Sequence, residues 1–338
     1  MPKAIALLSG GLDSLLAILL LRKQNINVTA VTFLMHFGCD MSDGASCTTD
    51  ATSISHQYGF KVKMCHLADK FTEIVKNPKY GHGKNMNPCL DCRILMLREA
   101  KELMRMMGAD FIATGEVEGQ RPMSQRRDTF PVIDREAGLK GMVLRPLSAK
   151  LMKPTIPELD GMVDREQLMD FRGRSRKPQM ALAREFGLTE YPAPAGGCLL
   201  TEPIYSFRLK ELLDHVPDPT VKDLNLLRLG RQYRFPEGQK FVVGRDERDN
   251  MGLETIAGST DWLIDLEEFG SPTAIVDDSV SDKDIRFIAG ICARYSRGRN
   301  ETEVKIVAKR GEEIIKFNAA PVSDELASRI RITEPKED

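Results

Sequence analysis

No stretch of the 338 residues approaches the ~18 to 20 consecutive apolar residues that a membrane-spanning helix needs. The apolar opening, Met1 to Leu21, is interrupted by Ser9, Gly10, Gly11, Asp13 and Ser14. It has neither a basic start nor a small-residue cleavage site, so a signal peptide is not expected; the expected compartment is the cytoplasm, with no membrane partner. An excess of one charge is also missing. Lys and Arg number 48 against 49 Asp and Glu, a formal net charge of -1. That excludes a chain that coats nucleic acid by bulk charge, although local basic clusters can still bind RNA. Aromatics are scarce at 6%, with one Trp, and the five histidines show no ligand spacing. There is no H-x-x-x-H, no second C-x-x-C, no repeat and no low-complexity tract. Seven cysteines in a reducing compartment do not make a disulfide framework. They read as core thiols, metal ligands or catalytic thiols.

What is present is a globular composition, 42% hydrophobic and 29% charged, long enough for about two domains. Lys3 to Leu8 reads as a buried strand, broken by Ser9-Gly-Gly-Leu-Asp-Ser14 and followed by a helix over Leu15 to Arg22. Strands follow at Val28 to Leu34, Lys61 to Leu67, Phe111 to Gly115 and Met142 to Leu144. Helices are expected over Thr48 to Tyr58 and Cys92 to Met107, and a basic helical stretch over Asp160 to Gly187. Alternating strands and helices predict an α/β, Rossmann-like parallel sheet with helices on both faces. Past Glu202 the pattern changes to short strands (Phe241–Gly244, Trp262–Asp265, Thr273–Val276), helices (Arg208–His215, Asp223–Leu229, Ile285–Tyr295) and a hairpin joining Val304–Val307 to Ile314–Phe317. The expected domains are therefore 1–200 and a smaller α+β domain at 201–338.

The strongest chemical signal is Ser9-Gly10-Gly11-Leu12-Asp13-Ser14 between a strand and a helix. Two glycines allow a tight turn and close backbone approach, and a helix start offers unpaired N–H groups to phosphate. No lysine follows the glycines, so this is not the G-x-x-x-x-G-K-S/T loop. The bland alternative is a Gly-Gly turn with Ser and Asp capping a helix. The segment resembles the PP-loop (S-G-G-x-D-S) of the N-type ATP pyrophosphatases, which split ATP into AMP and pyrophosphate. The resemblance implies an adenine nucleotide alpha hydrolase-like fold. It implies ATP binding by Ser9, Gly10, Gly11, Asp13, Ser14 and Gly115, with Mg2+ neutralising the pyrophosphate and Asp13 orienting the loop or the metal.

The second signal is Asn87-Pro88-Cys89-Leu90-Asp91-Cys92, with Cys198 downstream in a Gly-Gly-Cys-Leu-Leu-Thr segment. A C-x-x-C at a helix start brings two thiols together and favours thiolate, the form that binds metal or attacks sulfur. Two buried cysteines in a helix cap are the plain alternative. With the PP-loop, these segments resemble the 2-thiouridine synthases through Asn87-Pro88-Cys89 and Cys198. They resemble the 4-thiouridine synthases through Thr114-Gly115-Glu116, Gly119-Gln120 and Ser124-Gln125. The resemblance covers most of residues 1 to 200. It implies ATP-dependent thiolation of a tRNA uridine, a sulfide or persulfide-carrier sulfur donor, and Glu116, Gln120 and Gln125 lining the ATP and base site. Related thiolases hold a [4Fe-4S] cluster on three cysteines, which here would be Cys89, Cys92 and Cys198. The competing route uses one thiol as a persulfide nucleophile and another to resolve it.

Arg172, Arg174, Arg176 and Lys177 form the densest basic cluster, suited to a nucleic-acid backbone, although most such runs are solvated faces. Val243-Gly244-Arg245, Asp249-Asn250, Asp261-Trp262, Pro272, Ala293 and Tyr295-Ser296 resemble the NFACT-R domain, whose implied role is RNA binding, with Arg245 among the contacts. Trp262, Phe269 and Tyr295 are candidates for stacking on bases and equally for a core. A different enzyme class shares the adenylation step: a PP-loop amide or nitrile synthase, or a sulfur-mobilising enzyme, acting on a small molecule.

Overall fold

The computed structural model describes residues 1–37, 51–191, 198–269 and 272–333. Cys39, Cys47, the expected helix start at 48–50 and the Pro/Gly stretch 192–197 lie outside the described residues. The chain divides into two compact units, Met1–Thr201 and Glu202–Asp338.

The first unit contains, in order, β1 (Lys3–Leu7), α1 (Leu12–Lys23), β2 (Asn27–Leu34), α2 (Ala51–Tyr58), β3 (Lys61–His66), α3 (Ala68–Lys76), α4 (Cys89–Met107), β4 (Phe111–Thr114), α5 (Phe130–Glu136), β5 (Val143–Leu144), α6 (Ile156–Leu159) and α7 (Lys177–Glu185). The strands form one parallel sheet in the order β3-β2-β1-β4-β5. β1 is central and its last four residues are buried, as a continuous apolar run in a covered parallel sheet must be. The chain builds outward from β1 to β3, then returns to build β4 and β5 on the other side. The crevice where the order reverses lies between β1 and β4, beyond their carboxyl ends, where ligands bind in open α/β sheets. α1 is apolar almost all round because it is buried almost all round, with Leu12 and Ser14 to Leu21 inaccessible. β3 is one of the two edge strands, and its exposed Lys61 and Lys63 are the charges expected there.

The expected helical stretch at 160–187 is mostly not helix; α7 forms, with one 3-10 turn at Arg165–Gln167 before it. Gly161 and Gly173 take left-handed φ values of 69° and 82°, and Pro178 suits a helix start, not a helix interior. Basic composition had mimicked helical pattern.

The second unit carries α8 (Pro203–His215), α9 (Val221–Leu226), β6 (Arg231–Arg234), β7 (Lys240–Val243), α10 (Glu247–Ile256), β8 (Trp262–Leu266), β9 (Ala274–Val276), α11 (Asp282–Arg294), β10 (Val304–Arg310), β11 (Glu313–Ala319) and α12 (Asp324–Arg329). Its antiparallel sheet runs β11-β10-β8-β9-β7-β6. α11 presents Ile285, Ile288, Ala289 and Cys292 to a core that includes Tyr233, Phe241 and Trp262. Trp262 is therefore a core residue, 4% exposed, with the Arg310 guanidinium 4.5 Å from its ring centroid.

Candidate active site

The glycine-rich loop leaves β1 after Leu8. Gly10 adopts φ +75°, a conformation L side chains avoid, and this turns the chain into α1. Gly11 is the N-cap and offers no side-chain cap, so no side chain is spent on the first-turn amides of α1. Two serines brace the loop: Ser14 Oγ donates to Gly11 O at 2.8 Å, and Ser9 N donates to Ser14 Oγ at 3.2 Å. Gly115, just past β4, packs directly on this loop. A Cβ there would lie 2.5 Å from Ser14 N and Cα. Asp13 is held by Gln120, whose Nε2 donates to Oδ2 at 2.8 Å, while Oδ1 is buried without a hydrogen-bond partner. Burial pushes the Asp13 carboxyl above its usual range, opposed by Gln120, Arg176, Gln179 and Arg121.

The segment after β4 connects this loop to the cysteines. It carries Gln120 against Asp13 and, four residues on, the fully buried Ser124, whose Oγ accepts from Cys89 Sγ at 3.1 Å. Gly119 N donates to Gln125 O at 2.6 Å, closing the segment, and Gln125 is buried with Oε1 unpartnered. Cys89 opens α4 and Cys92 follows one turn later. Burial pushes the Cys92 thiol up to about 12, and the neighbouring Cys89 and Cys198 add to the rise while Arg93 opposes it. Burial likewise raises Cys198; the Leu200 and Thr201 amides and Arg121 oppose that, and Cys89 reinforces it. The three sulfurs thus lie within one another's field, and Arg121 acts on both Cys198 and Asp13. Among the described residues, however, no group of three or more His, Cys, Asp or Glu side chains is placed to hold a metal ion. Cys89, Cys92 and Cys198 are neighbouring thiols, and no step through a metal cluster is derived from them.

Glu116 belongs to a buried charge network beneath the thiols. Its Oε2 accepts from Arg145 Nε at 3.1 Å and from Thr114 Oγ1 at 3.0 Å, and Arg93 Nε stands 3.6 Å from Oε1. Arg145 donates two further bonds to Asp134, at 3.0 and 2.8 Å, and lies 4.1 Å over the Phe130 ring. Arg145 is thus spent on internal carboxylates. Arg145→Leu should strand Glu116 and Asp134 and cost about 3–5 kcal/mol of folding stability, measurable by urea unfolding.

The basic cluster is split. Arg172, Arg174 and Lys177 are exposed, with Arg172 Nε 3.5 Å from Glu118. Arg176 is half-buried, and its charge reaches Asp13. In the second unit, Arg245 is tied to Asp249 by its backbone N (3.0 Å) and guanidinium (2.6 and 3.1 Å). Asn250 Oδ1 accepts from Thr273 N at 3.1 Å. Tyr295 is flanked by the Arg231 and Arg294 guanidinia at 4.2 and 5.5 Å, and its hydroxyl is 3.3 Å from that of Tyr233. Arg93, Asp134 and Gln179 were not found from sequence. The one available signal was Arg93 directly following the C-x-x-C; Asp134 and Gln179 belong to no motif and sit among other polar residues of their helices.

The fold and the loop define a PP-loop nucleotide enzyme of the HUP class. Residues 2–128 match the tRNA methyl transferase HUP domain, and residues 230–329 match the NFACT protein RNA binding domain. The tRNA-specific 2-thiouridylase MnmA of Herpetosiphon aurantiacus is 30% identical over 287 residues, spanning 79% of this chain and 73% of that protein. Its counterpart from a Roseiflexus species is 24% identical over 86% of this chain and 83% of that protein. A solved 4-thiouridine synthetase–RNA complex with bound ATP aligns at 21% identity and a TM-score of 0.36, covering 67% of this chain and 52% of the other. The chain belongs to the tRNA-specific 2-thiouridylase family. No helix among the described residues is long and apolar enough to cross a membrane.

Proposed function

We propose that this protein is an ATP-dependent tRNA sulfurtransferase that replaces a uridine carbonyl oxygen with sulfur, in the cytoplasm. One observation carries the reading: a single segment hydrogen-bonds Asp13 of the nucleotide loop through Gln120 and Cys89 through Ser124. Phosphate chemistry and sulfur chemistry are thereby built into one wall. The uridine oxygen attacks the α-phosphorus of ATP, the bond to the β-phosphate oxygen breaks, and pyrophosphate leaves. The first-turn amides of α1 and the braced serines cradle that leaving group. Magnesium, held by Asp13 through its unpartnered Oδ1, would neutralise it.

Sulfur then displaces AMP. Cys89 and Cys198 are the reactive pair, because Cys92, with its thiol near 12, stays protonated at neutral pH. A persulfide on one attacks the adenylated carbon, the C–O bond breaks, and AMP departs with the former uridine oxygen. The thiolate of the other attacks Sγ of the first cysteine, and the bond between that Sγ and the transferred sulfur breaks with its electron pair going to the transferred sulfur. The thiolated base is released and a Cys89–Cys198 disulfide remains, reopened by a two-electron thiol reductant. On this route the donor is a persulfide carrier, which transfers its outer sulfur to the cysteine thiolate and leaves as a thiol; a sulfide donor belongs to the cluster route. A [4Fe-4S] cluster on Cys89, Cys92 and Cys198 is the other sulfur route, and anaerobic purification with iron and sulfide analysis separates the two. The second unit supplies RNA contacts around Tyr295, Arg231 and Arg294, with the exposed Arg172, Arg174 and Lys177 adding phosphate contacts in the first.

Because burial raises the Cys198 thiol, the rate of the sulfur step should climb with pH about tenfold per unit, without levelling at the value usual for cysteine. Single-turnover thiolation between pH 6.5 and 9 measures this; a plateau below pH 8 contradicts it. The function itself is tested by incubating purified protein, ATP and a sulfur source with tRNA from a deletion strain. One thiolated nucleoside, one AMP and one pyrophosphate are expected in equal amounts. ATP cleavage that ignores tRNA would instead favour the small-molecule synthase.

A further inference from the structure

Among the described residues, only Asn25 and Asn85 combine a side chain with a positive φ. Asn25 closes the end of α1, a usual place for asparagine. Asn85, at φ +55°, caps no helix. It lies in the loop that leads into Cys89, inside a turn closed by Gly83 N donating to Asn87 O at 2.9 Å. The turn is seated against the segment that holds the Cys89 thiol. A Cβ on Gly83 would overlap the Met123 sulfur, and Ser124, next in the chain, accepts from Cys89 Sγ. From this turn Asn85 Nδ2 donates to Thr201 O at 2.8 Å. Thr201 in turn donates twice to Cys198 O, from its N at 2.9 Å and its Oγ1 at 2.7 Å. Leu199 N fastens the same short turn to Phe37 O at 3.2 Å. Glycine would take the left-handed backbone at position 85 without strain, so the amide is what asparagine adds there. That amide ties the stretch leading into Cys89 to the stretch beginning at Cys198.

We propose that Asn85 is a positioning residue: its bond to Thr201 holds Cys198 beside Cys89 and so favours the disulfide that closes between them as the thiolated base leaves. The inference rests on the two-cysteine route above and names the contact that sets how the pair meets. Small displacements of reacting groups cost large factors in such steps. The bond itself is exposed, so its loss should cost what one net hydrogen bond supplies, about three- to tenfold, rather than all pairing.

The test equilibrates the full chain with mixtures of reduced and oxidised glutathione at fixed pH. One oxidised glutathione becomes two thiols as the Cys89–Cys198 bond closes, and alkylation followed by mass spectrometry counts the joined peptides. Asn85→Gly keeps the backbone conformation and removes the amide. Asn85→Asp keeps the size and removes the donor. Both should lower the disulfide equilibrium constant about three- to tenfold. Mixed-disulfide formation by Cys89 alone, in a Cys198→Ser background, should be unchanged by Asn85→Gly. An equal loss in that background overturns the proposal, since it marks altered thiol reactivity and not altered pairing. A wild-type disulfide constant in either variant, whatever its unfolding midpoint, marks a merely structural bond; it overturns the proposal and leaves the two-cysteine route standing. A wild-type protein that closes no Cys89–Cys198 disulfide overturns both readings.

Discussion

Alanine at Cys198 or Cys89 should reduce tRNA thiolation by about a thousandfold or more, as removal of a nucleophile does, with little change in ATP affinity. The two sulfurs approach the chemistry from different elements, one opening α4 and the other preceding Leu199. Cys92→Ala provides the discriminating contrast. A thiol held near 12 contributes no thiolate at neutral pH, so its loss should cost less than about tenfold. On a three-cysteine cluster route all three substitutions would be equally damaging. Thiolated-nucleoside analysis of reacted tRNA, paired with ATP titration, reads both quantities.

The second large effect is expected from the smallest change. Gly115→Ala adds one methyl, which would lie 2.5 Å from Ser14 N and Cα and 2.6 Å from the Asp13 carbonyl carbon. These are backbone atoms, so no side-chain rotation relieves the overlap, and α1 or β4 must shift. Overpacking of this kind costs about 1–3 kcal/mol of stability. Displacing the first turn of α1 also misaligns the amides proposed to face phosphate, and ATP affinity should fall by about a hundredfold. Gly11→Ala is the control for the fold. Its Cβ would meet Ser9 Oγ at an ordinary 3.5 Å, so stability should hold even where nucleotide binding suffers.

These effects were unequally visible in the sequence. The strand–loop–helix around Ser9 to Ser14 was legible because its glycines, serines and apolar flanks are contiguous. Gln120 was legible through Gly119-Gln120, and the structure places it on Asp13. The C-x-x-C was legible at a helix start, although the helix begins at Cys89, three residues before the expected Cys92. What was not legible is pairing between distant positions. Glu116, Arg93, Arg145 and Asp134 come from four separate segments, and only folding converts them into one buried network. The same limit applied to charge: Arg172, Arg174, Arg176 and Lys177 look equivalent in a row, but the turn at Gly173 sends Arg176 toward Asp13 and leaves the others in solvent. Trp262 and Tyr295 were alike as aromatics, yet β8 buries the first while the end of α11 leaves the second half-exposed between arginines.

The central claim is that the nucleotide and the thiols act on the same uridine carbon. Oxygen-18 placed in the uridine carbonyls of the tRNA, followed by mass spectrometry of the AMP formed in one turnover, tests it most directly. One labelled oxygen in AMP for each sulfur gained by the tRNA is the predicted result. Unlabelled AMP accompanying thiolated tRNA would contradict it.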